Sequence, residues 1–262
     1  MRPRRFLSPH REMSLVRNFW KSQIGKKIVM AVTGLIGVGF VLGHMVGNLQ
    51  MFQSAEKMNA YGYFLKHTVG GALWAVRGVL LASVILHVVA AVQLTRQKQA
   101  ARPQGYAKLE PQISTFASRT IRWGGFLLLA FIVFHILQFT TLSLFADYSQ
   151  TDVYNNVVKA FTVPWIVGFY VLAMGALALH LFHGAWSSFR TLGLNRPSAR
   201  PTQRAVATLV AALVTLGFTA VPLGVFLGAV KAAPPEAGVP AAALEAAAAA
   251  PAPATTSSLA GH

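Results

Sequence analysis

The chain has 262 residues, 54% of them hydrophobic and only 11% charged, with a mean hydropathy of +0.51, the composition of an integral membrane protein rather than of a soluble domain. Lys and Arg outnumber Asp and Glu 23 to 7 and there is no cysteine, which excludes disulfides, thiolate-held iron–sulfur clusters and haem attachment through C-x-x-C-H. Any metal has to be held by His, Met or oxygen.

Residues 1–27 are polar and basic. No apolar h-region or cleavage site adjoins them, so no removable signal peptide is expected. Residues 28–49 form a first apolar span with five glycines, Gly34, Gly37, Gly39, Gly43 and Gly47; small residues of this kind let membrane helices approach closely. A second span, 73–94, carries Arg77 near its start, and a third runs over 123–145. The fourth lies within 163–194, where no formal charge occurs between Pro164 and Ser187. The fifth, 205–230, bears Pro222, which should kink it or loosen its last turns. At about 1.5 Å per residue each is long enough to cross a hydrocarbon core of about 30 Å. The connections 51–71 and 146–162 are too polar to span, and residues 231–262 are an Ala- and Pro-rich tail expected to be disordered. The expected architecture is all-α: a five-helix transmembrane bundle over 28–230, between a basic segment 1–27 and the tail.

Five spans divide the connections between two sides of a membrane. The N-terminal segment holds eight Lys or Arg, the link 96–122 six and the link 190–204 four, whereas Lys57, Lys66, Arg77, Lys159 and Lys231 fall on the other side. The positive-inside rule therefore puts the N-terminus in the cytoplasm and the C-terminus outside. The positive charge is thus mostly topology, and a nucleic-acid partner is not expected, since the basic residues are split among separate links.

His44, His87, His135 and His180 place one histidine in each of the first four spans, and the fifth has none. An ionisable residue at membrane depth is a functional-site hypothesis. A single one is as a rule a packing or hydrogen-bonding residue; one in each of four successive helices asks for a common purpose. Counted from the outer ends of their spans, His44 and His135 lie about 6 and 15 Å deep, and His87 and His180 about 20 and 24 Å. Two pairs result, His44 with His135 nearer the outside and His87 with His180 nearer the cytoplasm. Two histidines from facing helices at one level can supply both axial ligands of a haem, and iron so coordinated transfers electrons rather than binding substrate. Small neighbours on the same helix faces, Gly37 and Gly47 near His44 and Ala173, Ala176 and Gly184 near His180, leave room for such a group or simply permit close helix packing.

The stretches I-G-K-K-I-V-M-A-V-T-G-L (24–35), G-H-M-V-G-N-L-Q (43–50), N-A-Y-G-Y-F-L (59–65), F-H-I-L-Q-F-T (134–140) and H-L-F-H-G-A-W-S-S-F-R-T-L-G-L (180–194) together resemble the five-helix, di-haem cytochrome b subunit of succinate dehydrogenase or fumarate reductase, the b558 family. The resemblance covers about residues 20–230. It implies two b haems ligated by His44 with His135 and by His87 with His180, in agreement with the depth pairing. It also implies an FAD flavoprotein subunit and an iron–sulfur subunit on the cytoplasmic side of a bacterial inner membrane, with quinone, by family expectation menaquinone, as electron acceptor. Succinate chemistry belongs to the flavoprotein, and this chain is the electron-transfer anchor. His183 is then a candidate contact for a propionate, a quinone or the iron–sulfur subunit, or a structural residue. Arg77 is a candidate propionate or quinone contact, or an arginine snorkelling at a helix end. Ser114, Ser118, Arg119 and Arg122 are candidates for lipid headgroups, propionates or the soluble subunits.

No Asp or Glu lies within any span, so the buried carboxylates with which some di-haem relatives move protons have no counterpart here; Glu56, in the first outer connection, is the nearest candidate. Two other readings stand beside this one: the cytochrome b anchor of a hydrogenase or formate dehydrogenase, and a transporter using histidines as a proton relay. The lack of internal carboxylates and of an inverted repeat weighs against the transporter.

Overall fold

The computed structural model describes residues 17–101, 116–194, 196–235, 237, 239 and 241. Most of the N-terminal segment, Ser114, and most of the tail lie outside the described residues. Seven α-helices form, α1 (Gln23–Asn48), α2 (Ala55–Tyr63), α3 (Gly70–Ala100), α4 (Phe116–Phe139), α5 (Val153–Phe161), α6 (Pro164–Thr191) and α7 (Arg200–Phe226), with no strand among the described residues. Five of them, α1, α3, α4, α6 and α7, are long and apolar enough to cross a membrane. The expected all-α membrane bundle is the architecture found.

Local sequence sets the helix ends. Ser22 caps α1, its hydroxyl accepting from the Gly25 N–H at 2.8 Å, and Pro164 opens α6 where a missing N–H costs nothing. Gly193 and Gly228, both at φ 78°, take the left-handed turns just beyond α6 and α7. Pro222 sits inside α7, four residues before its end at Phe226.

The third span ends earlier than expected, at Phe139 rather than 145. The Thr141 and Ser143 N–H groups turn back onto the carbonyls of Ile136 and Leu137, both at 3.0 Å, and Leu142 takes a positive φ of 55°. Hydropathy counts Leu142, Leu144 and Phe145 as span; in the fold the chain has already left the helix, and Phe145 stacks on Tyr148 with ring centres 5.0 Å apart. The two connections read only as polar links each contain a short helix. Ser54 caps α2 and Asp152 caps α5, each accepting from the N–H three residues on.

Helices α2 and α5 pack on each other and on the end of the bundle, covering it with an apolar cluster that includes Met51, Met58, Tyr154, Phe161, Ile166 and Val225. This capped end is also reached by the start of the expected tail. Asn155 donates to the Ala233 carbonyl at 3.2 Å and accepts from the Ala233 N–H at 3.0 Å, the Tyr154 hydroxyl donates to Lys231 O, and Asn59 donates to Ala237 O. The backbone of Lys231, Ala233 and Ala237 contributes these partners to the cap. The opposite end carries Lys21, Lys26, Lys27, Arg96, Lys98, Arg119, Arg122, Arg190, Arg196, Arg200 and Arg204 and is the basic end.

In the bundle, α6 packs along α7, α1 along α3 and α4 along α6, while α1 also meets α6 and α7. By contrast, α1 and α4 do not pack along each other, and neither do α3 and α6. A second apolar cluster, Leu181, Ala211 and Val214 with Val38 and Val41 against it, ties α6 and α7 to α1. Outward faces stay apolar: Leu81, Phe126, Leu172 and Leu216 are exposed, the composition expected where lipid takes the place of a second protein layer.

Candidate functional site

The four span histidines meet in the two pairs that depth predicts. The rings of His44 (α1) and His135 (α4) lie with centres 5.8 Å apart and planes at 81°, and those of His87 (α3) and His180 (α6) 6.0 Å apart at 49°. Each pair bridges two helices that are not otherwise packed together. The early end of α4 also levels the capped pair: His135 lies four residues from Phe139 and His44 four from Asn48, so both sit about 6 Å from their helix ends, and the 15 Å expected for His135 is corrected. His87, 17 residues from Gly70, and His180, 16 from Pro164, lie about 25 Å in.

Two hydroxyls decide which nitrogen of the bonded histidines faces the seam. The Thr33 hydroxyl donates to the Val29 carbonyl at 2.7 Å, and its oxygen lies 3.1 Å from His87 Nδ1. With its proton committed, Thr33 takes the acceptor role toward His87 Nδ1, and the Met30 backbone is a second hydrogen-bond partner of the same ring. Likewise the Tyr170 hydroxyl donates to Gln138 Oε1 at 2.8 Å while its oxygen lies 3.0 Å from His135 Nδ1. The same proton count leaves His135 Nε2 as a free base. Such a bond on the far nitrogen fixes ring orientation in histidine ligands generally. The buried Nδ1 of His180 has no hydrogen-bond partner.

The space around the pairs is kept by absent side chains. A Cβ added at Gly37, two turns before His44 on the same face, or at Gly184, one turn after His180, meets no atom within 4 Å. At Gly34 it would come 3.5 Å from His87 Cε1, so that glycine lets the imidazole lie close to α1.

Chemically, each pair offers two neutral imidazoles in an apolar seam. Among the described residues no group of three or more His, Cys, Asp or Glu side chains gathers around one point. A metal taking both rings of a pair therefore brings its remaining ligands with it. A metal bound between the rings of a pair would be held by His44 with His135 or by His87 with His180.

The remaining candidates are not part of either ring pair, although His183 neighbours His180 on α6. His183 Nε2 lies 3.3 Å from the Ser187 hydroxyl within its own helix. The Arg77 guanidinium lies over the Trp74 ring, 4.9 Å from its centre, at the capped end. Lys66 donates to Gln150 O at 2.6 Å, and burial together with the neighbouring Arg77 cation holds its ammonium below the usual lysine range. His67 stacks on Tyr63, 4.3 Å between centres. Glu56 stands exposed in the first turn of α2, its carboxyl held below the usual range by backbone and Ser54 hydrogen bonds. Ser118, Arg119 and Arg122 lie in the first two turns of α4, at the basic end.

Thr33 and Tyr170 are not singled out by sequence. The available signal was their polarity: each is an uncharged hydrogen-bonding residue inside an apolar span, where an unmatched polar group is costly.

Fold and site together define a multi-pass helical membrane protein with two histidine pairs within the bundle. Comparison with models of known families, with curated proteins and with solved structures found no match.

Proposed function

We propose that this chain is the di-haem cytochrome b anchor of a succinate:quinone oxidoreductase, with His44 and His135 holding one b haem and His87 and His180 the other. The observation that carries the reading is that the pairs stand 5.8 and 6.0 Å apart across two seams between helices that do not otherwise pack together. Two protein ligands without a third suit a planar group that supplies its own four equatorial donors. Gly37 and Gly184 leave open volume on the ligand faces.

Bound there, the two haems supply a one-electron relay across the membrane. The protein's part is to hold the imidazoles neutral and oriented, through Thr33 and Tyr170, and to keep both sites in an apolar environment. The basic end then faces the cytoplasm of a bacterial inner membrane and receives the iron–sulfur and FAD subunits, and quinone, by family expectation menaquinone, accepts electrons at the other side. His183 and Arg190, toward the basic end of α6, are placed for the partner-facing surface, while Arg77 is a propionate or quinone contact only at the capped end.

A reduced-minus-oxidised spectrum of the purified protein, with haem counting, tests the reading. A b-type band at two haems per chain is expected, and no band would sink it. Copurification of a covalently flavinylated or FAD-containing subunit with succinate:quinone reductase activity separates this assembly from a hydrogenase or formate dehydrogenase anchor.

A further inference from the structure

Three side chains extend from His135 toward the cap. The Tyr170 oxygen lies 3.0 Å from His135 Nδ1, its hydroxyl donates to Gln138 Oε1 at 2.8 Å, and Gln138 Nε2 points at the Tyr148 hydroxyl at 3.5 Å. Gln138 is completely buried and Tyr170 is 6% exposed. A glutamine and a phenol placed in an apolar cluster are expensive unless their hydrogen bonds are made, and they give the core nothing that Leu and Phe would not. The other pair has a simpler arrangement. Thr33 donates to carbonyls of its own helix, and the His87 ring also bonds the Met30 backbone, with no further side chain in the series.

Resting on the functional reading above, we propose that Tyr170, oriented by Gln138, is the positioning residue that sets the tautomer and the electron-donating strength of His135, and so the reduction potential of the capped-end haem alone. Thr33 does the same for His87 and the basic-end haem. The direction follows from charge. A hydrogen bond accepted from Nδ1–H leaves more electron density on the imidazole, which favours the more positive ferric iron and lowers the potential. The phenol that donates to Gln138 is a better acceptor for His135 than a free phenol, because hydrogen bonds in a chain polarise one another. His180 has no partner at Nδ1, so at the other pair such bonds belong to His87, which meets the Thr33 hydroxyl and the Met30 backbone.

The test is a potentiometric titration of the full-length purified protein, monitored in the b-haem bands, after haem counting. Tyr170→Phe is expected to keep two haems per chain and to raise one midpoint potential while leaving the other in place. Thr33→Val should raise the other midpoint, with Thr33→Ser restoring it. If Tyr170→Phe does not accumulate, Gln138→Leu keeps the phenol but removes its acceptor, and it should raise the same midpoint as the Tyr170 variant, by a smaller shift. Two haems with both potentials unmoved in the Tyr170 and Gln138 variants would overturn the proposal while leaving the cytochrome reading intact. A shift of both midpoints together would overturn it equally, since a loosened bundle rather than one imidazole would be responsible. Absence of haem from the unmodified protein sinks the functional reading, and this inference with it.

Discussion

The two histidine pairs are alike in separation and different in surroundings. At the capped end, His44 is stacked on Phe40 and flanked by Phe218, and His135 is enclosed by Phe131, Phe139 and Tyr170. Toward the basic end, among the described residues, the one ring set against His87 is that of His180. Its neighbours on α1 are small, Gly34 and Thr33. One pair sits in an aromatic shell beneath a folded cap; the other lies in a seam of glycine and hydroxyl. Aromatic contacts fix ring positions through many shallow attractions, whereas small residues fix them by what they leave open. Similar ring separations are thus reached by filling space at one end and by withholding it at the other.

On the proposed di-haem reading, the largest effect that bears on this comparison is loss of one of the four span histidines. His44→Ala or His135→Ala should reduce haem from two per chain to one, and His87→Ala or His180→Ala should remove the other, so that the two classes leave spectrally different residual haems. Loss of both haems in every variant, or of neither, would contradict the pairing. Next in size is the effect of filling the open volume. Gly184→Leu should deplete the haem held by His87 and His180 and spare its neighbour, and Gly37→Leu should do the reverse, because a side chain at either position enters space that no protein atom occupies. Haem per chain and the surviving midpoint potential read the outcome. If both variants bind two haems with unaltered potentials, the glycines serve lipid or helix contacts instead.

The five spans were legible because a helix crossing lipid has to be apolar over a fixed length, and the histidine pairing because rise per residue turns sequence position into depth. Depth counting failed where it depended on a helix end. The 140–145 stretch is apolar enough to pass for membrane, yet Thr141, Leu142 and Ser143 turn the chain back. The cap was illegible for a related reason. Helices α2 and α5 are nine residues each, too short to stand alone and stable only against the bundle end, so their apolar faces acquire meaning from tertiary contact. The hydroxyl partners of the histidines are further still from sequence logic. Nothing in the spacing of Thr33 and His87, 54 residues apart, announces that they meet.

The smallest effect expected belongs to the cap's polar knot, where the comparison is sharpened rather than broken. Asn59, 1% exposed, donates to Asp152 Oδ1 at 3.1 Å and to Ala237 O at 2.9 Å, and its own carbonyl accepts from the Tyr154 N–H at 2.9 Å. Asn59→Ala leaves a buried carboxylate with one donor fewer and a buried N–H without its acceptor, a cost of about 1–3 kcal/mol. Thermal unfolding in detergent should show the lower midpoint. Since the knot joins α2, α5 and the backbone at Ala237 at one end only, the loosened cap should, on the proposed reading, disturb the haem assigned to His44 and His135 while the potential of the other stays fixed. An equal disturbance of both would mean that the cap acts on the bundle as a whole and that the aromatic shell does not insulate the pair beneath it.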